Sequence, residues 1–286
     1  MNKTELLEKY SSNLSGSKNH NHYMSYARDF LGYAKELDKG NITKYVEHLR
    51  RKRMSPGTVN FAYRVVRRLF IVNGLEWPFN RGEAPLISQR DEYKAILAPN
   101  IIETMISKAK NGGLATDEGA FLALSTTYGL RREEMVNLQP GDLSLRNNTI
   151  YVATLKHGRQ RYHLIPPEIK PYLKDHNFET RYSLTIMSQM FWRVVNKSSL
   201  EFLKQSRLGW HSIRHSLDRQ LAKAGMNPFA IKAFLRWKGG SGELAMPERY
   251  YGGITIGFEG AHTEAIEAIE DEEVFEKYHP FLGLWK

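Results

Sequence analysis

His211, Arg214 and His215 stand at positions i, i+3 and i+4 of the string His211-Ser212-Ile213-Arg214-His215, a spacing that puts all three side chains on one face of a helix. Two imidazoles around a guanidinium suit a phosphate. A metal is less apt, because Arg214 would hold a fixed positive charge between the two ligands and no HExxH pattern exists. Taken alone, the triplet fits a structural surface cluster equally well. A second string reads Tyr128-Gly129-Leu130-Arg131-Arg132-Glu133-Glu134. A glycine ends one helix and the next begins with an arginine, where a cation opposes the helix dipole. A guanidinium in that turn can grip a phosphate oxygen through paired N–H donors, with Glu134 one turn on to hold it. The plain alternative is an ordinary Arg/Glu helix start.

Three further stretches carry reactive side chains. Lys156 sits in Lys156-His157-Gly158-Arg159, a turn between the β-prone runs Thr149 to Leu155 and Gln160 to Ile165, with Arg161 just beyond it. In Leu235-Arg236-Trp237 the indole N–H is a donor only, able to bind a phosphate oxygen but not to shuttle a proton. Trp237 fits a core tryptophan as well. Finally, Met246-Pro247-Glu248-Arg249-Tyr250-Tyr251-Gly252 offers two adjacent phenols.

The elements that must position these groups are mostly helical. Tyr23, Tyr26, Phe30, Ala34 and Leu37, then Val59, Tyr63, Val66 and Phe70, recur every three or four residues and make two apolar stripes. About four helices over residues 1–80 follow, broken at Ser15-Gly16-Ser17, Lys39-Gly40-Asn41 and Ser55-Pro56-Gly57, where Ser55 can cap a helix that contains Pro56 in its first turn. Periodicity lapses in a Trp/Pro/Gly-bearing stretch, so residues 81–94 are a linker and a second domain spans 95–286. Helices are expected there near 99–111, 116–128, 167–175, 184–197, 211–224 and 228–238, with one hairpin between them. The fold class is mainly α with a small β-hairpin.

With 41% hydrophobic residues in 286, the chain can bury a core in each domain. It has no cysteine, which excludes disulfides, thiolate catalysis and cysteine-bound metal. No apolar run is long enough for a membrane span and no signal peptide is visible, so a cytoplasmic protein is expected. Residues 1–260 hold 39 basic and 24 acidic groups, whereas the tail, 261–286, is acidic. A basic body suits a polyanion but does not choose between DNA and RNA. Arg50, Arg51, Lys52 and Arg53, followed by Arg64, Arg67 and Arg68, fit either solvated helix faces or a clamp on a nucleic-acid backbone.

An arginine after Gly-Leu, a lysine in a β-turn, a His-x-x-Arg-His helix and a late tyrosine occur in that order. In this combination the chain resembles the tyrosine recombinases: phage and archaeal integrases and the Xer- and Cre-type enzymes. Residues 1 to about 80 resemble their SAM-like core-binding domain, and about 95 to 260 their catalytic domain. The resemblance implies that Arg131 and Arg214 clamp a scissile phosphate, with Glu134 in support. By the same resemblance Lys156 protonates the leaving 5′-hydroxyl, His211 and Trp237 bind the phosphate, and His215 orients or deprotonates the attacking group. Tyr250 is the implied nucleophile, with Tyr251 as the alternative, since the interval after Trp237 is longer than usual. Arg50, Arg51, Arg53, Arg64, Arg67, Arg68, Arg159 and Arg161 would meet DNA. No metal or ATP is required, because the 3′-phosphotyrosyl bond retains the energy of the phosphodiester. The implied partner is double-stranded DNA bearing a specific site, bound by a homotetramer that is a monomer or dimer when free. A type IB topoisomerase or telomere-resolving enzyme, and a non-cleaving DNA-binding protein on the same scaffold, are the alternatives. Thr263 to Tyr278 reads as an amphipathic helix, and the resemblance implies that it docks on a neighbouring subunit. Deletion of 262–286 would then abolish synapsis and spare DNA binding.

Overall fold

The computed structural model describes residues 2–17, 19–80, 82–83, 85, 96–153, 160–176, 178–205, 208–237 and 270–286. The chain divides into two compact units, Met1–Tyr93 and Lys94–Lys286.

The first unit is a bundle of α1 (Lys3–Asn13), α2 (His20–Tyr33), α3 (Lys39–Arg51) and α4 (Pro56–Asn73). Each start has a local cause. The side chains of Asn2, Asp38 and Ser55 accept backbone N–H bonds at the first turns of α1, α3 and α4, and Pro56 needs no donor where it stands. Lys39-Gly40-Asn41, expected as a break, is the first turn of α3. The Asp38 carboxylate accepts from Asn41 N at 2.7 Å and moves the break upstream. The α4 stripe of Val59, Tyr63, Val66 and Phe70 is buried in one core with Leu6, Tyr10, Phe30 and Tyr45. Trp77 packs edge-on against Phe70 (5.2 Å) and Tyr63 (5.4 Å), sealing that core. Arg64, Arg67 and Arg68 stand exposed on one face of α4, and Arg50, Arg51 and Arg53 are exposed at and beyond the end of α3.

The second unit is built round α6 (Thr116–Tyr128), buried from Glu118 to Tyr128. Packed against it are α5 (Pro99–Lys110), α8 (Lys170–Leu173), α9 (Leu184–Lys197) and α10 (Trp210–Lys223), with α7 (Arg132–Val136) on α9 and α11 (Pro228–Phe234) on α10. The expected hairpin is present as β2 (Thr149–Val152) and β3 (Arg161–Leu164). A short β1 (Leu143–Ser144) adds a third antiparallel strand, in the order β1-β2-β3. Register decides the faces: Ile150 pairs with His163 and both are buried, whereas Tyr151 pairs with Tyr162 on the outer side. The fold is therefore mainly helical with a small sheet. α11 ends sooner than periodicity predicts, because Arg236 adopts a left-handed φ of 58°. Among the described residues no helix is long and apolar enough to cross a membrane.

The chain's last described segment belongs to the second unit. After a turn of α-helix (Asp271–Glu273) come a π-helical turn (Val274–Tyr278) and a 3-10 turn (Leu282–Trp285). Val274, Phe281, Leu282 and Trp285 are buried in the same core as α6 and α10, and Trp285 Nε1 donates to Thr126 Oγ1 at 3.1 Å. Residues 270–286 thus pack on the second unit of their own chain. Residues 263–269 of the predicted amphipathic helix lie outside the described residues.

Candidate active site

Two helix ends create the site. The final carbonyls of an α-helix have no partner within it and carry the negative end of its dipole. At the end of α6, Gly129 takes φ 59°, and a Cβ there would lie 3.0 Å from Leu235 Cδ2 and 3.2 Å from Arg214 Cγ. Only glycine meets both conditions. The turn aims the Gly129 carbonyl at Arg214 Nη1, which donates to it at 2.7 Å, while Arg214 Nη2 donates to the Leu235 carbonyl beyond α11. Arg214, on α10 and 1% exposed, is therefore held between the C-termini of two other helices.

Glu134 completes the cluster. Its carboxylate accepts from the backbone N–H of Arg131 at 2.8 Å and from Arg131 Nη1 at 2.6 Å. Arg131 precedes α7, and the acid one turn on caps the helix as it holds the guanidinium. Arg236 Nη2 donates to Glu134 at 3.0 Å, and Arg214 Nη1 lies 4.0 Å away. Burial would push the Glu134 carboxyl up, but Arg236, Arg214 and Arg131 together pull it down to about 2. Three guanidinia share one carboxylate, so the cluster keeps an excess of positive charge.

That charge faces an open cleft of about 600 Å³, lined by Arg131, His211, Arg214, His215 and Trp237 among others. The His211 and His215 rings meet edge to face at 4.3 Å, and the Arg214 guanidinium lies 5.7 Å from the Trp237 ring centroid. His211 is exposed and His215 largely buried. Trp237 thus serves both readings, packing partly against the core and lining the cleft. A guanidinium has five N–H donors. The protein uses two of those of Arg214 for position, in the bonds to Gly129 and Leu235. The arrangement can bind a phosphodiester and stabilise added negative charge on it.

Arg131, Glu134, His211, Arg214, His215 and Trp237 are therefore brought together. Lys156, Arg159, Tyr250 and Tyr251 lie outside the described residues. Arg161, expected to meet DNA, is partly buried: its Nη2 donates to Asp271 at 2.7 Å and its side chain is 17% exposed. Sequence reasoning missed Arg236, His163 and Asp271. Arg236 is wholly buried, and its Nη1 donates to His163 Nε2 at 2.8 Å. Because Nε2 must accept, the His163 proton is on Nδ1, which donates to Asp271 at 3.0 Å. The only sequence signal was an arginine and a histidine at otherwise apolar positions.

Two neutral histidines make this unit acid-sensitive. His163 accepts from Arg236, and burial, with Asp271 opposing and Arg236 assisting, brings its pKa down from 6.5 to about 4. His279 Nε2 donates to the Thr127 carbonyl while its Nδ1 accepts from Leu282 N, and burial lowers it to about 4 as well. Both folded values lie below the unfolded value, so the stability they contribute is complete above pH 6.5 and is lost as pH falls towards 4. At pH 5 the loss should be about 2 kcal/mol for each histidine, about 4 kcal/mol in all. Thermal unfolding followed by tryptophan fluorescence should show the midpoint dropping between pH 7.5 and 5; a constant midpoint would contradict the assignment.

Comparison with known proteins gives the same outline. Residues 95–242 match the profile of the phage integrase family. The tyrosine recombinase XerA of Thermococcus kodakarensis is 24% identical over 259 residues, which cover 81% of this chain and 86% of the relative. XerA of Saccharolobus solfataricus is 24% identical over 243 residues, covering 76% and 77%. In fold the chain is similar to the Tn1549 transposon integrase, solved in complex with transposon right end DNA (TM-score 0.68, 18% identity, 89% of this chain and 96% of the other). It is also similar to lambda integrase bound to DNA (TM-score 0.64, 15% identity, 91% and 100%).

Proposed function

The chain belongs to the phage integrase family, and we propose that it is a site-specific tyrosine recombinase that cuts and rejoins double-stranded DNA through a 3′-phosphotyrosyl intermediate. The observation that carries this reading is the pairing of Arg131 and Arg214 around Glu134 at one cleft, with His211, His215 and Trp237 on its wall. In the first step the Tyr250 oxygen attacks the scissile phosphorus and the bond to the 5′-oxygen breaks. His215 assists removal of the phenolic proton, and Lys156 gives a proton to the departing 5′-hydroxyl. In the second step the 5′-hydroxyl of another strand attacks the phosphotyrosine and frees the tyrosine. Arg131, Arg214, His211 and Trp237 stabilise the charge of both pentavalent transition states. A free phenol, with a pKa of about 10, becomes a competent nucleophile in that field.

The first unit serves as the core-binding domain, presenting Arg50, Arg51, Arg53, Arg64, Arg67 and Arg68 to the phosphate backbone. The protein works in the cytoplasm as a homotetramer on DNA. Relatives named as recombinases and the small helical first unit favour strand exchange over topoisomerase activity. Incubation with nicked suicide DNA, followed by mass spectrometry of the trapped peptide, should place the adduct on Tyr250. An adduct on Tyr251 would move the nucleophile by one residue, and absence of any adduct would leave only a DNA-binding scaffold. Relaxation of supercoils without exchange between two sites would point to a topoisomerase.

A further inference from the structure

Behind the two clamp arginines a continuous line of hydrogen-bonded groups runs from Glu134 to the far side of the catalytic unit. Arg236 Nη2 donates to Glu134, Arg236 Nη1 to His163 Nε2, and His163 Nδ1 to Asp271. Asp271 is held in turn by the Leu164 backbone N–H at 2.8 Å and by Arg161. All four inner groups, Glu134, Arg236, His163 and Asp271, are at most 3% exposed.

The line has a direction. Asp271 fixes the His163 proton on Nδ1, which makes Nε2 an acceptor, and the acceptor fixes Arg236. Arg236 also donates to the Tyr128 carbonyl at the end of α6. It pays for this with a left-handed φ of 58°, a conformation natural to glycine and strained for arginine. A side chain kept in strain at a buried position must make contacts that outweigh it. Here those contacts converge on the one carboxylate that orients Arg131 and approaches Arg214.

We propose that Arg236, His163 and Asp271 are positioning residues of the recombination site: they hold Glu134, and through it Arg131 and Arg214, in place once the C-terminal segment has docked on its own catalytic unit. None of the three needs to touch DNA. The segment that follows the nucleophile in sequence thereby helps to set the phosphate clamp of the same chain. If the line is broken at Asp271, the His163 ring is free to carry its proton on Nε2, which then opposes an Arg236 N–H. Around His163 the groups that would respond are Asp271, Arg161 and Arg236, with the Tyr128 and Phe234 rings packed at 5.1 and 5.3 Å.

This inference rests on the clamp reading of Arg131 and Arg214, so its test includes Arg131→Ala. Single-turnover formation of the covalent adduct on nicked suicide DNA is measured alongside affinity for the intact site, at a temperature where each full-length variant is folded by circular dichroism. Arg236→Gly, which relieves the backbone strain, and Asp271→Asn should each slow adduct formation by about 10-fold with site affinity unchanged. The double variant should be no slower than the slower single one, because both break the same line. His163→Gln, which keeps an acceptor and a donor, should retain most of the rate. His163→Phe, which fills the space beside Tyr128 and Phe234 without either, should lose it; this pair decides the matter if Asp271→Asn does not fold. Multiplying effects in the double variant, or equal rates for His163→Gln and His163→Phe, would overturn the positioning role. A normal rate for Arg131→Ala would instead overturn the clamp reading itself.

Discussion

Arg131→Ala is expected to slow covalent adduct formation by about 10²- to 10³-fold, with little change in the thermal midpoint or in affinity for the site. The asymmetry comes from where the two clamp arginines stand. The Arg131 side chain is 24% exposed, and when it is removed Glu134 keeps Arg236 at 3.0 Å and Arg214 at 4.0 Å. The buried carboxylate stays compensated. Arg214→Lys should behave differently, although it conserves charge. One ammonium cannot bridge the Gly129 and Leu235 carbonyls as the two ends of a guanidinium do. A carbonyl left unsatisfied in the core costs stability, and the variant should lose about 1–3 kcal/mol as well as most of its activity. Thermal unfolding and single-turnover cleavage on the same preparations separate the two cases. If Arg131→Ala proves as unstable as Arg214→Lys, Arg131 is a structural residue and its role as a clamp fails.

The second large effect concerns the chain's last described segment. Removal of residues 270–286 should unfold the catalytic unit rather than merely prevent subunits from assembling. Four apolar side chains, Val274, Phe281, Leu282 and Trp285, leave a common core. At about 1.5–3 kcal/mol for each large apolar side chain, the loss rivals the 5–15 kcal/mol typical of a whole domain. The ion pair of Arg161 and the acceptor for His163 go with them. The truncated protein is expected to lose the cooperative thermal transition of the second unit and, with it, site-specific DNA binding. Retention of binding with loss of synapsis alone, the outcome that the family resemblance implies for deletion of 262–286, would show that the segment is dispensable for folding.

Much of the fold was legible because local signals and tertiary packing agree in it. The apolar stripe of α4, the capping serine before it and the glycine after it specify a helix from neighbouring residues alone. The same holds for α6, α9 and α10, whose predicted and observed spans coincide within a residue. Boundaries moved where a side chain overrode the pattern. Asp38 capped α3 upstream of the glycine that looked like a break, and the left-handed Arg236 ended α11 early.

For the site, the sequence by itself determined the reaction class. In the proposed reaction Arg131, Lys156, the His211, Arg214 and His215 triplet, and the Tyr250-Tyr251 pair would be set by chemistry that tolerates few substitutes, and they stand in that order as a readable string. What only the tertiary structure decided is what holds those groups. Asp271 lies in an acidic run in which no residue stands out, and Arg161 and His163 lie on a strand 108–110 residues away from it. Nothing local distinguishes the Asp271 carboxylate, which accepts three protein donors, from the solvated acids around it. The physical reason is that a buried charge takes its meaning from partners distant in sequence: Glu134 stays ionised because the start of α7, α10 and the turn after α11 bring guanidinia to its one carboxylate.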